Sequence, residues 1–324
     1  MAVTGPDATP LDLVGFGEAM VLVAPSDGQP LESAEVTGLH VAGAELNVCA
    51  AAAALGARAA FASRVGDDPL GRRVRVAATG LGVDTSLLSS VPTAPTGVFF
   101  KDIRPDGQRR VFYYRAGSAA STMDSSDARR VLAQRPGIVV VSGITASLGP
   151  GPQEAVTTLL HEARAAGVRV ALDPNLRPAL GAVGDQVTRL LPLLRHVDTL
   201  LLGADEAHHL FGTTDPARVF AAAMSAGVRE TVLKAGPDGC HVPVAGQPRH
   251  LPTAATVVVD PVGAGDAFAG GYLVGRSRGL SVVGAAWLGN QLAARVVAHP
   301  GDTSGLPEPH EASTLLEQAI AQPA

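Results

Sequence analysis

Aromatic side chains are scarce: one Trp, three Tyr and eight Phe make up 4% of 324 residues. Val, Leu and Ala must therefore fill the core, and any cluster of aromatics calls for a reason. Cysteine is nearly absent. Cys49 and Cys240 stand alone without a CxxC spacing, which excludes a disulfide framework and a thiolate zinc site and suits a reducing cytosol. There is no long basic run and the net charge is −5, so the footprint of a nucleic-acid or anionic-lipid binder is missing. Charged residues reach only 17% against 46% hydrophobic, which excludes a disordered chain. The opening MAVTGPDATP lacks a basic start and an apolar core, and the apolar run after it is broken by Asp12 and Glu18. Neither a secretion signal nor a membrane span is expected. What remains is a cytoplasmic globule whose partner is small.

The early part reads as short strands. LDLVGFGEAMVLVAP (11–25) has the form strand, Gly-rich turn, strand, ended by Pro25. Gly15 and Gly17 begin a dinucleotide fingerprint, but Met20 takes the third glycine position and a strand-like VLV follows where a helix should start, so the motif is a decoy. NVCAAAAALGARA (47–59) is helix-rich, and DDPLGRRVRVAATGLGV (67–83) reads as a helix with Pro69 near its start. GVFFKDI and RRVFYYR flank RPDGQ, a hairpin pattern because Asp-Gly accepts positive φ. From Pro136 onward strands (GIVVVSG, VRVALD, TLLLG, ETVLKAG) alternate with helices near 152–166, 183–195, 205–211 and 216–226, with a last helix expected within 305–324. Alternation of this kind predicts a doubly wound α/β fold, a mostly parallel sheet with helices on both faces. No repeat or composition break divides the chain, so residues 1–324 are expected to form a single domain, with strands from about 11–41 and 94–116 set apart as a small β-sheet lid. Ligands then collect at the carboxyl ends of the strands, where SGI, DPNLR, GADE and KAGPDG lie.

The stretch TVVVDPVGAGDAFAGGYLVG predicts a strand, a Gly-rich turn and a helix beginning near Ala264. Free N–H groups at a helix start bind anions, and glycines let the backbone approach an oxyanion closely. Asp266 falls in the first turn. A carboxylate there can take a proton from an attacking hydroxyl while the N–H groups of Gly263, Ala264 and Gly265 hold the charge of a transferring phosphoryl group. The bland alternative is a first-turn acid favoured by the helix dipole. His208 and His209 are neighbours and cannot share one helix face for a metal.

GAGDAFAGG (263–271) resembles the C-terminal signature of the ribokinase-like (PfkB) carbohydrate kinases, and AGAELNVCAAAAALGARAAFASRVGDDPLGR (42–72) resembles their N-terminal one. The two together, in order and well separated, are far more specific than either alone. The resemblance covers nearly all of residues 11–303 and implies the doubly wound fold with a β lid over the sugar. It also implies ATP and Mg2+, with room for a monovalent cation, and a homodimer or higher homo-oligomer paired through the lids. VFYYRAGSAAS (111–121) and DPNLRP (173–178) further resemble the 2-keto-3-deoxygluconate kinases within that family. In a strand Tyr113 and Arg115 share a face. Two arginines and a phenol exceed the needs of a neutral sugar, and arginine pairs well with carboxylates. The resemblance therefore implies that Tyr113, Arg115 and Arg177 hold the carboxylate and keto end of a sugar acid, with Gly43 and Asn47 beneath its hydroxyls and Phe99 where related enzymes offer a tyrosine. VLKAGPDG (232–239) implies Lys234, Gly236 and Gly239 beside ATP, and Glu206 matches a glutamate that acts on magnesium through water. Gly203 stands where the family has asparagine, Ala42 where glycine is common, and Pro261-Val262 where two threonines are common. The expected activity is phosphorylation of the terminal hydroxyl of 2-keto-3-deoxy-D-gluconate or a close sugar acid. The alternatives are a kinase for a neutral sugar or nucleoside such as fructose, ribose or adenosine, and a sugar sensor without activity.

Overall fold

The computed structural model describes residues 10–27, 29–103 and 109–323. The RPDGQ turn (104–108) and the opening nine residues lie outside them. Among the described residues thirteen strands form two sheets. They are β1 (Leu13–Phe16), β2 (Met20–Pro25), β3 (Thr37–Ala42), β4 (Ala59–Gly66), β5 (Leu88–Val91), β6 (Val98–Ile103), β7 (Arg109–Tyr114), β8 (Ile138–Ser142), β9 (Arg169–Asp173), β10 (Thr199–Gly203), β11 (Glu230–Lys234), β12 (Cys240–Val244) and β13 (Gln247–Leu251). The nine-stranded sheet runs β13-β12-β11-β10-β9-β8-β1-β4-β5, parallel except where β12 and β13 close one edge. The four-stranded sheet runs β3-β2-β6-β7.

Strand residues alternate between two cores, as a sheet covered on both faces requires. Leu13, Val140, Leu201 and Val232 pack on the side of the helices Ala44–Ala54, Ala264–Ser277 and Val282–Val297. Val14, Val141, Leu202 and Leu233 pack on the opposite side, under Pro150–Ala163 and Ala204–Phe211. The capping chemistry is local: Asp68 caps Pro69–Gly80 by accepting from the Gly71 N–H at 2.7 Å, and Asp215 caps Pro216–Ser225.

Two expectations fail in instructive places. Lid strands are expected from about 11–41 and 94–116, and β2 and β3 of the first stretch do lie in the small sheet, but β1 lies in the middle of the main sheet between β8 and β4. All four of its residues are buried, the mark of a strand covered on both faces. The run before GAGD is not a strand either: Val257, Val258 and Val259 lie outside the thirteen described strands and are 58%, 65% and 48% exposed, with the Val259 N–H donating to the Val297 carbonyl of a helix at 2.7 Å. An apolar β-branched run states a preference for extended backbone, and only a neighbour makes it a strand.

The chain runs from β1 to β4 and β5 on one side, then returns to β8 on the other, so the strand order reverses between β1 and β8. A crevice opens there at the carboxyl ends of the strands, and the lid sheet covers it.

Candidate active site

Gly263 sits at φ 79°, ψ −12°, and a Cβ there would come within 2.3 Å of the Asp302 carbonyl. Only glycine fits both demands. The helix Ala264–Ser277 starts at the next residue, and Asp266 is in its first turn. Gly270, one turn further on, lets this helix press against Ala44–Ala54, since a Cβ would meet the Ala51 methyl at 2.5 Å and the Val48 carbonyl at 2.8 Å. That close packing brings Asn47 across to Asp266. The Asn47 Nδ2 donates to Asp266 Oδ2 at 2.8 Å and to Asp302 Oδ2 at 3.3 Å.

Burial raises the Asp266 carboxyl from 3.8 to about 7; the Asn47 hydrogen bond opposes the shift, and the neighbouring Asp173 charge adds to it. Such an acid is poised to accept a proton near neutrality. Burial also raises Asp302, again against the pull of Asn47.

Three strand ends complete the charge cluster. Lys234 closes β11 and donates from Nζ to Asp173 Oδ2 at 2.5 Å, at the end of β9. Glu206, just past β10, is raised mainly by burial and then by the Asp173 charge. Its two oxygens are already engaged by backbone: Oε2 accepts from Gly203 N–H at 2.6 Å and Oε1 from Leu176 N–H at 3.0 Å. Gly203, in the place of the family's asparagine, thus contributes its N–H to hold Glu206.

Two cavities meet at this cluster. One, of about 520 Å3, lies under the lid and is lined by Gly43, Asn47, Phe99, Tyr113, Arg115 and Arg177, together with Asp266. The structure thereby brings together every residue expected to touch the sugar. Phe99 stacks on Tyr113 with ring centroids 5.7 Å apart, so the aromatics gathered here form one wall, and the Arg115 guanidinium lies 5.6 Å from the Tyr113 ring. The second cavity, of about 840 Å3, is lined by Lys234, Gly236, Ala264, Ala235, Val258 and Val297. Both share Arg177, Gly203, Glu206, Lys234, Pro261 and Gly265. Gly239, expected beside the nucleotide, lines neither. At φ 96° it turns the chain from β11 into β12, and a Cβ would stand 2.1 Å from the Leu251 carbonyl, so its glycine is required by the turn.

Residues not singled out from sequence also face the sugar cavity. Asp173 and Asn175 belong to DPNLRP, where an acid at the carboxyl end of a strand was the available signal. Asn175 adopts φ 42°, and its buried Oδ1 finds no hydrogen-bond partner among the described residues. Lys101, on the lid, pairs with Asp260 of the loop before GAGD at 2.8 Å. Glu18, just after β1, binds Arg115. Among the described residues no cluster of His, Cys, Asp and Glu is arranged to hold a metal directly, and no helix is long and apolar enough to cross a membrane.

Known proteins are similar to this chain in sequence and fold. The 2-dehydro-3-deoxygluconokinase of Thermoproteus tenax is 34% identical over 311 residues, which is 95% of this chain and 94% of that one. A PfkB protein from Polaromonas sp. JS666 superposes with a TM-score of 0.83 at 33% identity, covering 94% of this chain and 99% of its own. A putative ribokinase II from E. coli, solved in complex with ATP and Mg2+, has the same fold, with a TM-score of 0.85 at 23% identity over 95% and 99% of the two chains. The family model for the pfkB carbohydrate kinases matches residues 11–309, nearly the whole of the two-sheet body, and the chain belongs to that family.

Proposed function

We propose that this carbohydrate kinase transfers the γ-phosphoryl group of ATP to the terminal hydroxyl of a sugar acid, 2-keto-3-deoxy-D-gluconate or a close relative. One observation carries the reading: a desolvated carboxylate, Asp266, and an arginine that pairs with no acid among the described residues, Arg177, face the same lid-covered cavity, next to the cavity that suits a nucleotide. The sugar lies under the lid over Gly43 and Asn47, against Phe99 and Tyr113, with its acid end toward Arg177 and its far hydroxyl at Asp266. Asp266 takes the hydroxyl proton as the new O–P bond forms and the bond to the leaving diphosphate breaks. The first-turn N–H groups of Ala264 and Gly265, with that of Gly263, face the charge that develops on the phosphoryl oxygens. Lys234 and Gly236 take the nucleotide phosphates, and the apolar wall around Val258 and Val297 takes its base.

The residues present suit magnesium held through water, because both Glu206 oxygens are spent on backbone N–H groups while its charge faces the shared wall. The ion would neutralise phosphate charge when bound. We further infer a cytoplasmic enzyme, consistent with two buried free thiols, that assembles as a homodimer through the lid. Register places Leu39, Val23, Phe100 and Phe112 in one row across the four lid strands, on the face turned away from the cavity, with Leu39 and Phe112 exposed. Mass in solution checks the dimer.

The substrate reading is tested by ADP release with MgATP over 2-keto-3-deoxygluconate, its galactonate epimer, fructose, ribose and adenosine. Preference for the acids is expected. Preference for a neutral compound would overturn the substrate class, and no turnover with any would bring forward a sensor.

A further inference from the structure

The cations around the sugar cavity are not equivalent. Lys234 is held by Asp173 and Lys101 by Asp260. Arg115 is held more closely still. Its Nε donates to Glu18 Oε2 at 2.7 Å, its Nη2 contacts the same oxygen, and the two side chains are only 10% and 1% exposed. Glu18 is itself fixed, accepting from Ser118 Oγ on its other oxygen at 2.5 Å. Gly97 makes room for it, since a Cβ there would stand 2.8 Å from Oε1. Arg177 differs in kind. Its guanidinium is exposed, its Nη1 reaches only the Leu176 carbonyl at 3.3 Å, and no carboxylate pairs with it among the described residues.

Resting on the sugar-acid reading above, we propose that Glu18 cancels the charge of Arg115 and so sets the division of labour in substrate recognition. Arg177 alone selects the carboxylate, and the neutral Arg115–Glu18 pair presents N–H donors to an uncharged keto or hydroxyl oxygen. A buried carboxylate already on Arg115 would repel a second one brought to it, because at that depth Coulomb forces are weakly screened. A hydrogen bond from the spare edge of the guanidinium to a neutral oxygen meets no such opposition. Glu18 is then a positioning residue: it reaches the substrate only through Arg115.

The test compares kcat/KM for 2-keto-3-deoxygluconate with that for its methyl ester, which keeps the keto and hydroxyl groups and removes the charge. Arg177→Ala should bring the acid-to-ester ratio down on the order of tenfold. In the double variant Glu18→Gln/Arg115→Gln both rates should fall, while the ratio stays within about twofold of wild type, since the deleted pair carried no net charge. Removing both partners also avoids leaving a lone buried charge that could unfold the protein. The single change Glu18→Gln, where the protein folds, should raise the ratio by releasing the Arg115 charge. A ratio that collapses in the double variant, with wild type still favouring the acid, would overturn the division of labour alone. A wild type that shows no preference for the acid would overturn the sugar-acid reading with it.

Discussion

The two ends of the sugar cavity treat charge in opposite ways. At the lid end, Arg115 and Lys101 each lie against a carboxylate, so the wall is polar and close to neutral. At the phosphoryl end, Asp266, Asp173 and Glu206 gather in a buried space around Lys234, with Asp302 on the far side of Asn47, and burial raises the Asp266, Asp302 and Glu206 carboxyls. The difference separates two tasks. A recognition wall needs fixed donors, and ion pairs fix them at little electrostatic cost. A base needs a proton affinity far above that of a free carboxylate, and only desolvation in excess of pairing provides it. Stability is given up at that end in exchange for chemistry.

The sharpest way to break this contrast is Asp266→Asn. The variant keeps the shape and an oxygen for Asn47 but cannot take the proton, so kcat should fall on the order of 10³-fold, with the sugar affinity little changed. Stability should move the other way. The native carboxyl titrates at about 7 and the unfolded one near 3.8, so between those values the native state holds a proton that the unfolded state has lost. Stability therefore declines as pH rises through that window. Asparagine resembles the protonated acid at every pH, and at pH 8 the variant should be more stable by up to about 4 kcal/mol, a gain that vanishes near pH 4. Denaturant unfolding at the two pH values measures it. A variant that turns over normally, or is less stable at pH 8, would show that the carboxylate is not the strained base described.

A smaller effect should appear in the wild-type pH profile. For the free enzyme, log kcat/KM should climb with unit slope below about 7 and level off above it, following Asp266 deprotonation. The acid-to-ester ratio is set at the other end of the cavity and should not follow the same curve. A profile already flat at pH 5 would mean that Asp266 titrates as an ordinary carboxyl, and the two ends of the cavity would then differ less than their burial indicates.

The same division governs what could be read from the amino-acid string. The phosphoryl end is written in local code: Gly263 for positive φ, Asp266 in a first turn, Gly270 for close packing, all within nine residues. The body was legible through alternation of strands and helices. Pairing was not. That Asp173 meets Lys234, Asn47 meets Asp266 and Glu18 meets Arg115 depends on contacts 61, 219 and 97 residues apart, which no periodicity encodes. The sequence places Arg115 with Tyr113 and Arg177 at the carboxylate and keto end of the substrate; that Glu18 of the chain itself also pairs with it is not legible there. β1 falls within the stretch expected to supply lid strands, although LVGF, without a polar side chain, carries the mark of a strand covered on both sides. Gly239 looked functional because it ends a matched motif, while its own backbone geometry accounts for it.

The smallest effect tests whether the lid end is merely neutral or also mechanical. Lys101 lies on β6 of the lid, and its partner Asp260 belongs to the loop that leads into Gly263, so the ion pair ties the lid to the phosphoryl end. Its side chains are 17% and 9% exposed, and at that depth salt screens the pair less than it would a surface bridge. Lys101→Met keeps the aliphatic stem and removes the charge. A lid tied less firmly should raise KM for the sugar about five- to tenfold, which corresponds to roughly 1 kcal/mol, and lower kcat less. Because closure keeps water from the phosphoryl group, ATP hydrolysis per sugar phosphate formed should rise in the same variant. Loss of an ordinary packing contact would raise KM without that leak. Measuring ADP against sugar phosphate in parallel therefore decides whether Lys101 serves the lid's closure or only its fold.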